Sequence, residues 1–172
     1  FGLEYWRKQD AAKEFPSDYW RAVCDAGLCG VALPTEVGGS GLGMFELALV
    51  VETLASCGGG STVGQLFMIN PIFGGVALSR FGSPQMKSEL LPKIVSGAIN
   101  CSLASSSVFF DDVRIEPGEL VGTLDRGWHE LLDVLNTERI VTTAALAGTG
   151  ELAIKLAVKY GNERKVFGDK PV

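Results

Sequence analysis

The apolar positions along this chain recur mostly with the spacing of α-helices. In the segment FPSDYWRAVCDAGL, Trp20, Val23 and Cys24 lie at i, i+3 and i+4 behind a Pro-Ser-Asp start. Gly27 supplies a left-handed stop at the other end. The pattern predicts an amphipathic helix that ends at Gly27.

Two longer apolar segments follow. MFELALVVETLAS is apolar nearly all round, with charges only at Glu46 and Glu52, which predicts a helix buried in a bundle. A second long helix is predicted over residues 63–81, with a kink at Pro71. The GSP triplet at 82–84 stops it and starts QMKSELLPKIVSG, with Ser as N-cap and Pro at the first helical position.

The pattern changes in SVFFDDVRI, where Val108, Phe110 and Val113 alternate with polar neighbours and predict one strand. A lone strand is unstable, so we expect its pairing partners to be absent from this chain. WHELLDVLN then predicts a short helix, and ERIVTTAALAGTGELAIKLAVKYGNERKVF a long one. Small residues in the long segment would let a neighbouring helix approach closely: Ala144, Ala145, Ala147, Gly148 and Gly150. The chain is therefore expected to be mainly α.

Composition and charge exclude several classes of protein. The 172 residues are 47% hydrophobic and 20% charged, which is enough to bury a core and argues against disorder. A net charge of -5 offers no basic face for nucleic acid or an anionic membrane. The longest uncharged stretch, 53–79, is interrupted by glycines and polar residues, so we expect a buried helix and no membrane span. No signal peptide is visible, and the absence of an initiating Met suggests a fragment or a processed form.

The cysteines and the one histidine indicate no metal site. Cys24, Cys29, Cys57 and Cys101 form no C-x-x-C pair and lie in apolar surroundings, as expected of buried reduced thiols in a cytosolic or matrix protein. His129 has no acid at triad spacing, which favours a surface or packing role.

The glycine-rich stretch PTEVGGSGLG, at residues 34–43, could cradle a phosphate or form a turn. Its spacing is not G-x-G-x-x-G, it lacks the Lys of a P-loop, and Leu42 breaks a G-x-S-x-G nucleophile motif. A tight connection between two helices is the better interpretation.

Several segments together resemble the acyl-CoA dehydrogenase family, in family order. They are the region from FPSDYWRAVCDAGL through the PTEVGGSG loop to MFELALVVETLA, then RFGSPQMKSELLPKIVSGAI, VFFDDVRIEPGELVG with its later GW, LNTERI, and NERKVFGDKPV. The resemblance implies an N-terminal helical domain over 1–104, a remnant of a middle β-barrel domain over 105–127, and the start of a C-terminal helical domain over 128–172. The family's T-E-P-x-x-G-S-D motif and most of its flavin-binding middle domain are absent after CSLA, either deleted or omitted.

The resemblance also implies a function. Family members use FAD to dehydrogenate an acyl-CoA thioester at the α and β carbons, in oxidation of fatty-acid or branched-chain acyl groups. We therefore expect FAD, an acyl-CoA substrate, electron-transfer flavoprotein as acceptor, a homodimer or homotetramer, and a bacterial cytoplasmic or mitochondrial matrix location. The alternative is a truncated helical scaffold or interaction module that cannot hold FAD.

The chemistry needs a carboxylate that takes the α-proton and a flavin that takes the hydride. In isovaleryl- and long-chain-like members the base is the Glu of the E-R-[IL] segment, which is Glu138 here. In most other members it lies farther along, beyond Val172. Without the resemblance, Glu138 is a helix-start acid favoured by the dipole.

Two further pairs are implied by the resemblance. Asn136 and Arg139 correspond to positions near the coenzyme A moiety, although Arg139 could equally form a structural ion pair across the bundle. Arg164 and Phe167 match an R-x-x-F pair that contacts the FAD of a neighbouring subunit, or they are a surface Arg and a capping Phe.

Overall fold

The computed structural model describes residues 1–103, 107–166, 168 and 170–171, the last two by their backbone alone. Seven α-helices and one pair of short strands are assigned within these residues, besides short 3-10 and π-helical stretches: α1 (Leu3–Ala12), α2 (Ser17–Asp25), α3 (Met44–Leu54), α4 (Gly60–Phe67), α5 (Ala77–Phe81), α6 (Pro84–Val95), α7 (Gly127–Glu163), β1 (Lys165–Val166) and β2 (Lys170–Pro171). The strands are antiparallel, with Lys165 opposite Pro171. The predicted mainly α class is confirmed.

Local sequence signals set the ends of α2 and α6 as predicted. Trp20, Val23 and Cys24 form the buried face of α2, and Gly27 adopts a left-handed conformation (φ +73°) just beyond its end. In α6 the Ser83 hydroxyl accepts a hydrogen bond from the Met86 amide at 3.2 Å, with Pro84 at the first helical position. These ends depend on residues within one turn of the chain.

The predicted all-round burial of α3 is wrong. Leu47 and Val51 are fully buried, but Phe45 is 71% exposed and Leu49 is also exposed. The described neighbours of α3, above all α7, cover only one side of it. The apolar composition of the other side therefore has no counterpart within the described residues.

The helix predicted over 63–81 begins earlier than expected, and its middle part is π-helical. It starts at Gly60 and runs as α4, a π-helical stretch (Met68–Val76) and α5, with Pro71 inside the π-helical part. Proline has no amide donor, so the regular α-helical hydrogen-bond pattern is interrupted at this point. Within this stretch the buried Asn70 side chain accepts a hydrogen bond from the Cys101 amide at 2.8 Å, which ties the chain after α6 to the core.

No strand forms in the segment SVFFDDVRI. Its nine residues, 107–115, are all described and have no regular secondary structure, and Phe109 is 92% exposed. The alternating pattern is present, but the described residues offer no strand to pair with it. The strand prediction therefore fails here because a strand needs a neighbouring strand.

The C-terminal region forms one continuous helix where two were predicted. α7 contains 37 residues, about 55 Å at 1.5 Å per residue, and includes both WHELLDVLN and the long segment. Its small residues permit close packing as predicted at two positions. A Cβ on Gly148 would lie 2.2 Å from the Glu52 carbonyl oxygen, and a Cβ on Gly64 would lie 2.5 Å from the Ala145 Cβ. Ala147 and Gly150, in contrast, are exposed.

The main core lies where α2, α3, α4 and the first half of α7 meet. Its largest fully buried side chains include Phe67, Leu33, Leu47, Ile72 and Val141. Two helical stretches, Met44–Phe81 and Gly127–Glu163, are long and apolar enough to cross a membrane by length and composition. Most of the first apolar window (61%) is buried inside the protein, whereas only 17% of the second is.

All four thiols are free, as predicted, but they are not all buried. Cys24 and Cys29 are buried, Cys101 is partly buried, and Cys57 is exposed. A hydrogen bond with Cys24, together with burial, raises the pKa of the Cys29 thiol above its ordinary range. Cys57 differs because it lies in the π-helical turn Ala55–Gly59, on the side away from the core.

Candidate functional site

The glycine-rich part of the loop, residues 38–43, has no amide available for a phosphate. Five consecutive amides, from Gly38 to Leu42, donate to backbone carbonyls at 2.8–3.0 Å. The next amide, that of Gly43, donates to the Glu46 carboxylate at 2.8 Å. Phosphate-binding loops depend on free, converging amides. The interpretation of the loop as a turn between helices is confirmed.

A cleft of about 240 Å³ lies between α4 and α7, and its lining is mostly apolar. The α4 side contributes Gly64, Gln65 and Met68, and α7 contributes Glu138 and Thr142. Of the described residues that line it, Glu138 alone has an ionisable side chain. The close approach of Gly64 to Ala145 sets the separation of the two helices at this point.

Glu138 is half-buried, and one of its two carboxylate oxygens is hydrogen-bonded. Its Oε1 accepts a hydrogen bond from the Thr142 hydroxyl at 2.6 Å, and its Oε2 has no hydrogen-bond partner within the described part of the chain. The alternative interpretation of Glu138 as a helix-start acid is wrong. α7 begins at Gly127, so Glu138 lies three turns inside the helix, beyond the reach of the terminal dipole.

Asn136 and Arg139 lie on an exposed face of α7 and do not line the cleft. The Arg139 guanidinium donates to the Asn136 side-chain oxygen at 2.8 Å. Arg139 forms no ion pair with any residue that the structure describes, so the alternative of an ion pair across the bundle finds no partner there.

Arg164 caps the end of α7 and is exposed. Its guanidinium carbon lies 5.6 Å from the centre of the Tyr160 ring, and it also hydrogen-bonds the Tyr160 hydroxyl. The neighbouring Glu163 carboxylate pairs instead with Lys159 at 3.8 Å. Phe167, the other member of the predicted pair, lies outside the described residues.

His129 is exposed on the first turn of α7, in agreement with its predicted surface role. The two oxygens of the adjacent Glu130 carboxylate share one bifurcated hydrogen bond from the Thr123 amide, at 3.0 and 3.2 Å, which ties the preceding loop to α7. No group of three or more His, Cys, Asp or Glu side chains within the described ranges could hold a metal ion.

Sequence reasoning missed the neighbours of Glu138. Thr142 follows it at i+4, a spacing at which side chains on a helix meet, so this contact could have been predicted. Gly64, Gln65 and Met68 come from a helix some 70 residues earlier in the chain, and no local pattern links them to Glu138.

Residues 3–98 match the family described as "Acyl-CoA dehydrogenase, N-terminal domain". Acyl-CoA dehydrogenase FadE12 of Mycobacterium tuberculosis is 24% identical over 251 residues, which cover 97% of this chain and 64% of that protein. Mitochondrial isovaleryl-CoA dehydrogenase of Pongo abelii is 32% identical over 99 residues, which cover 56% of this chain and 23% of that protein. The very long-chain specific acyl-CoA dehydrogenase of Rattus norvegicus is 32% identical over 104 residues, which cover 60% of this chain and 14% of that protein.

The fold also matches a solved structure, "Apo-form PigA", with a TM-score of 0.84 at 14% sequence identity. That match covers 99% of this chain and 66% of the other. The chain thus spans about two thirds of the length of the proteins that it resembles from end to end.

Proposed function

Because the chain belongs to the acyl-CoA dehydrogenase family, we propose that it is part of an enzyme that dehydrogenates an acyl-CoA thioester with FAD. The observation that carries this proposal is the Glu138 carboxylate in a mostly apolar cleft between α4 and α7. Such a cleft suits an acyl chain, and one carboxylate in its wall suits removal of a proton from that chain.

Glu138 acts as the general base in this proposal. The proton next to a thioester carbonyl is weakly acidic, so its removal requires a carboxylate that is close, oriented and partly shielded from water. Glu138 is half-buried, and Thr142 engages its Oε1, which leaves Oε2 to accept the proton. The competing location for the base is farther along the protein, beyond Val172.

FAD, when bound, supplies the acceptor for the hydride from the β carbon. Arg164 fits the anionic part of this cofactor because its guanidinium is exposed, lies against a neutral Tyr160, and has no carboxylate partner among the described residues. A charge-assisted contact of this kind contributes roughly 1.5–3 kcal/mol. Phe167 would pack on the same cofactor, which in the family belongs to a neighbouring subunit.

Asn136 and Arg139 would hold the coenzyme A part of the substrate. Arg139 is exposed and already oriented by its hydrogen bond to Asn136, so it can donate to a phosphate without first leaving an ion pair.

The division of the chain into an N-terminal helical domain, a remnant of a middle domain and the start of a C-terminal helical domain, with boundaries at 104–105 and 127–128, belongs to the same proposal. Since 97% of the 172 residues is about 167, about 84 of the 251 positions aligned with FadE12 have no counterpart in this chain. Residues 108–115 expose several aromatic and aliphatic side chains. This exposure supports the proposal that the natural neighbours of the segment are not among the described residues.

The substrate class and partners follow from the same resemblance. The relatives are named for isovaleryl-CoA and for very long-chain acyl groups, so we infer a fatty-acid or branched-chain acyl-CoA. Electron-transfer flavoprotein is the inferred electron acceptor, and a homodimer or homotetramer in the bacterial cytoplasm or mitochondrial matrix is the inferred assembly and location.

The second candidate is a helical scaffold or interaction module that cannot retain FAD. It is favoured for this exact polypeptide by the roughly 84 aligned positions without a counterpart. Flavin absorbance of the purified protein, and its bleaching on addition of an acyl-CoA, separates the two. We expect both signals from the complete protein that contains this chain. A colourless protein that leaves acyl-CoA unchanged after incubation with FAD would establish the scaffold.

A further inference from the structure

The Thr142 hydroxyl is bonded differently from those of three other helical threonines. Thr53, Thr143 and Thr149 each donate to the backbone carbonyl four residues earlier, all at 2.7 Å. That is the usual local bond of a threonine inside a helix. Thr142 instead donates to the side chain four residues earlier, the Glu138 Oε1, at 2.6 Å.

This exchange of partner occurs in the wall of the cleft. Thr142 is half-buried and lines the cleft together with Glu138, whereas the adjacent Thr143 is exposed and does not. A threonine is stiff about χ1 in a helix, so its hydroxyl offers a fixed donor. A glutamate has several freely rotating bonds, and ordering its carboxylate carries an entropic cost that such a bond offsets.

We propose that Thr142 is the positioning residue for Glu138: its hydroxyl holds Oε1, so that the carboxylate stays at the cleft with Oε2 available. This inference rests on the proposed role of Glu138 as the base. An ordinary i, i+4 pair that only stabilises the helix would leave the rate of the reaction unchanged.

Three variants separate these roles: Thr142→Val removes the hydroxyl and keeps the shape, Thr142→Ser restores a hydroxyl, and Thr143→Val is the matched control one residue away. In the FAD-loaded complete protein, Thr142→Val should lower kcat about ten- to a hundredfold, because the general base is no longer correctly oriented. KM should stay within about twofold of wild type. Thr142→Ser should recover most of the rate, and Thr143→Val should match wild type.

A second measurement needs no activity. In the 172-residue chain, NMR couplings of the Glu138 side chain should report one dominant rotamer in the wild type, in Thr142→Ser and in Thr143→Val. Averaged couplings are expected only in Thr142→Val. The same single rotamer in Thr142→Val, or equal averaging in Thr143→Val, would overturn the inference. Glu138→Gln distinguishes the two proposals: normal turnover in that variant would refute the base and leave the rotamer result standing.

Discussion

The two halves of α7 carry comparable apolar side chains in different surroundings. In the first half, Val134, Val141 and Ala145 are buried against α3, α4 and the π-helical segments. In the second half, Ile154 is 66% exposed and Val158 is also exposed. Packing against the helices that precede α7 continues just past the midpoint to Gly148, which meets Glu52 of α3. The second half therefore exposes apolar side chains that the proposed homo-oligomer would cover.

Glu138→Gln is expected to have the largest effect, because it removes the proposed base from the covered half of α7 while keeping its shape. Turnover should fall about 10²- to 10⁴-fold, with FAD and acyl-CoA binding retained. Glu151→Gln is the matched control, since Glu151 lies in the uncovered half and, among the described residues, pairs with Lys155 alone, at 2.7 Å. Steady-state kinetics on the complete protein measure both. Near-normal turnover of Glu138→Gln would indicate that the general base is not Glu138 and lies beyond Val172.

A methyl group added to α7 at a packed glycine and at an open glycine two residues away should have opposite effects on stability. A Cβ at Gly148 would meet the Glu52 backbone, so Gly148→Ala should lower the free energy of unfolding by about 1–3 kcal/mol. A Cβ at Gly150 meets nothing within 4 Å, so Gly150→Ala should raise it by up to about 1 kcal/mol through helix propensity. Urea denaturation tests the pair. Equal effects of the two variants would contradict the packing of α7 against α3.

Arg164→Ala tests the far end of the uncovered half. The affinity for FAD should fall about ten- to a hundredfold in the complete protein, with an unchanged far-ultraviolet circular dichroism spectrum. Lys159→Ala is the control, because that cation is already paired with Glu163. Titration of the apo-protein with FAD gives both affinities.

The same titration applies to the 172-residue chain. We expect it to retain FAD hardly at all, because one Arg and one Phe cannot replace the contacts of a whole domain. Tight stoichiometric binding by this chain would contradict the proposed absence of the middle domain.

Ile154→Gln should have the smallest effect on stability and a visible effect on association. An exposed substitution changes the free energy of unfolding by no more than about 0.5 kcal/mol. Self-association of the chain, measured by light scattering, should nevertheless decrease. Unchanged association, or a flavin-loaded complete protein that is monomeric, would oppose the proposed homo-oligomer.

Local chemistry allowed part of this structure to be predicted from the sequence. The end of α2 at Gly27 and the Ser83 cap of α6 each depend on groups within a few residues of one another. The turn at residues 34–43 also uses backbone bonds to Gly30, Val31 and Leu33, which precede it directly in the chain. The ordered motifs of the acyl-CoA dehydrogenase family were also readable, and the match to the N-terminal domain of that family confirms the motifs that lie within residues 3–98.

The tertiary structure decided the rest, because burial depends on residues that are distant along the chain. It left one side of α3 open, denied residues 107–115 a strand partner and exposed Cys57. It also made α7 continuous, since the first half of this helix packs against α3 and α4. Finally, it placed Glu138 opposite Gly64 and Met68 in one cleft, a contact between helices that no spacing within the sequence records.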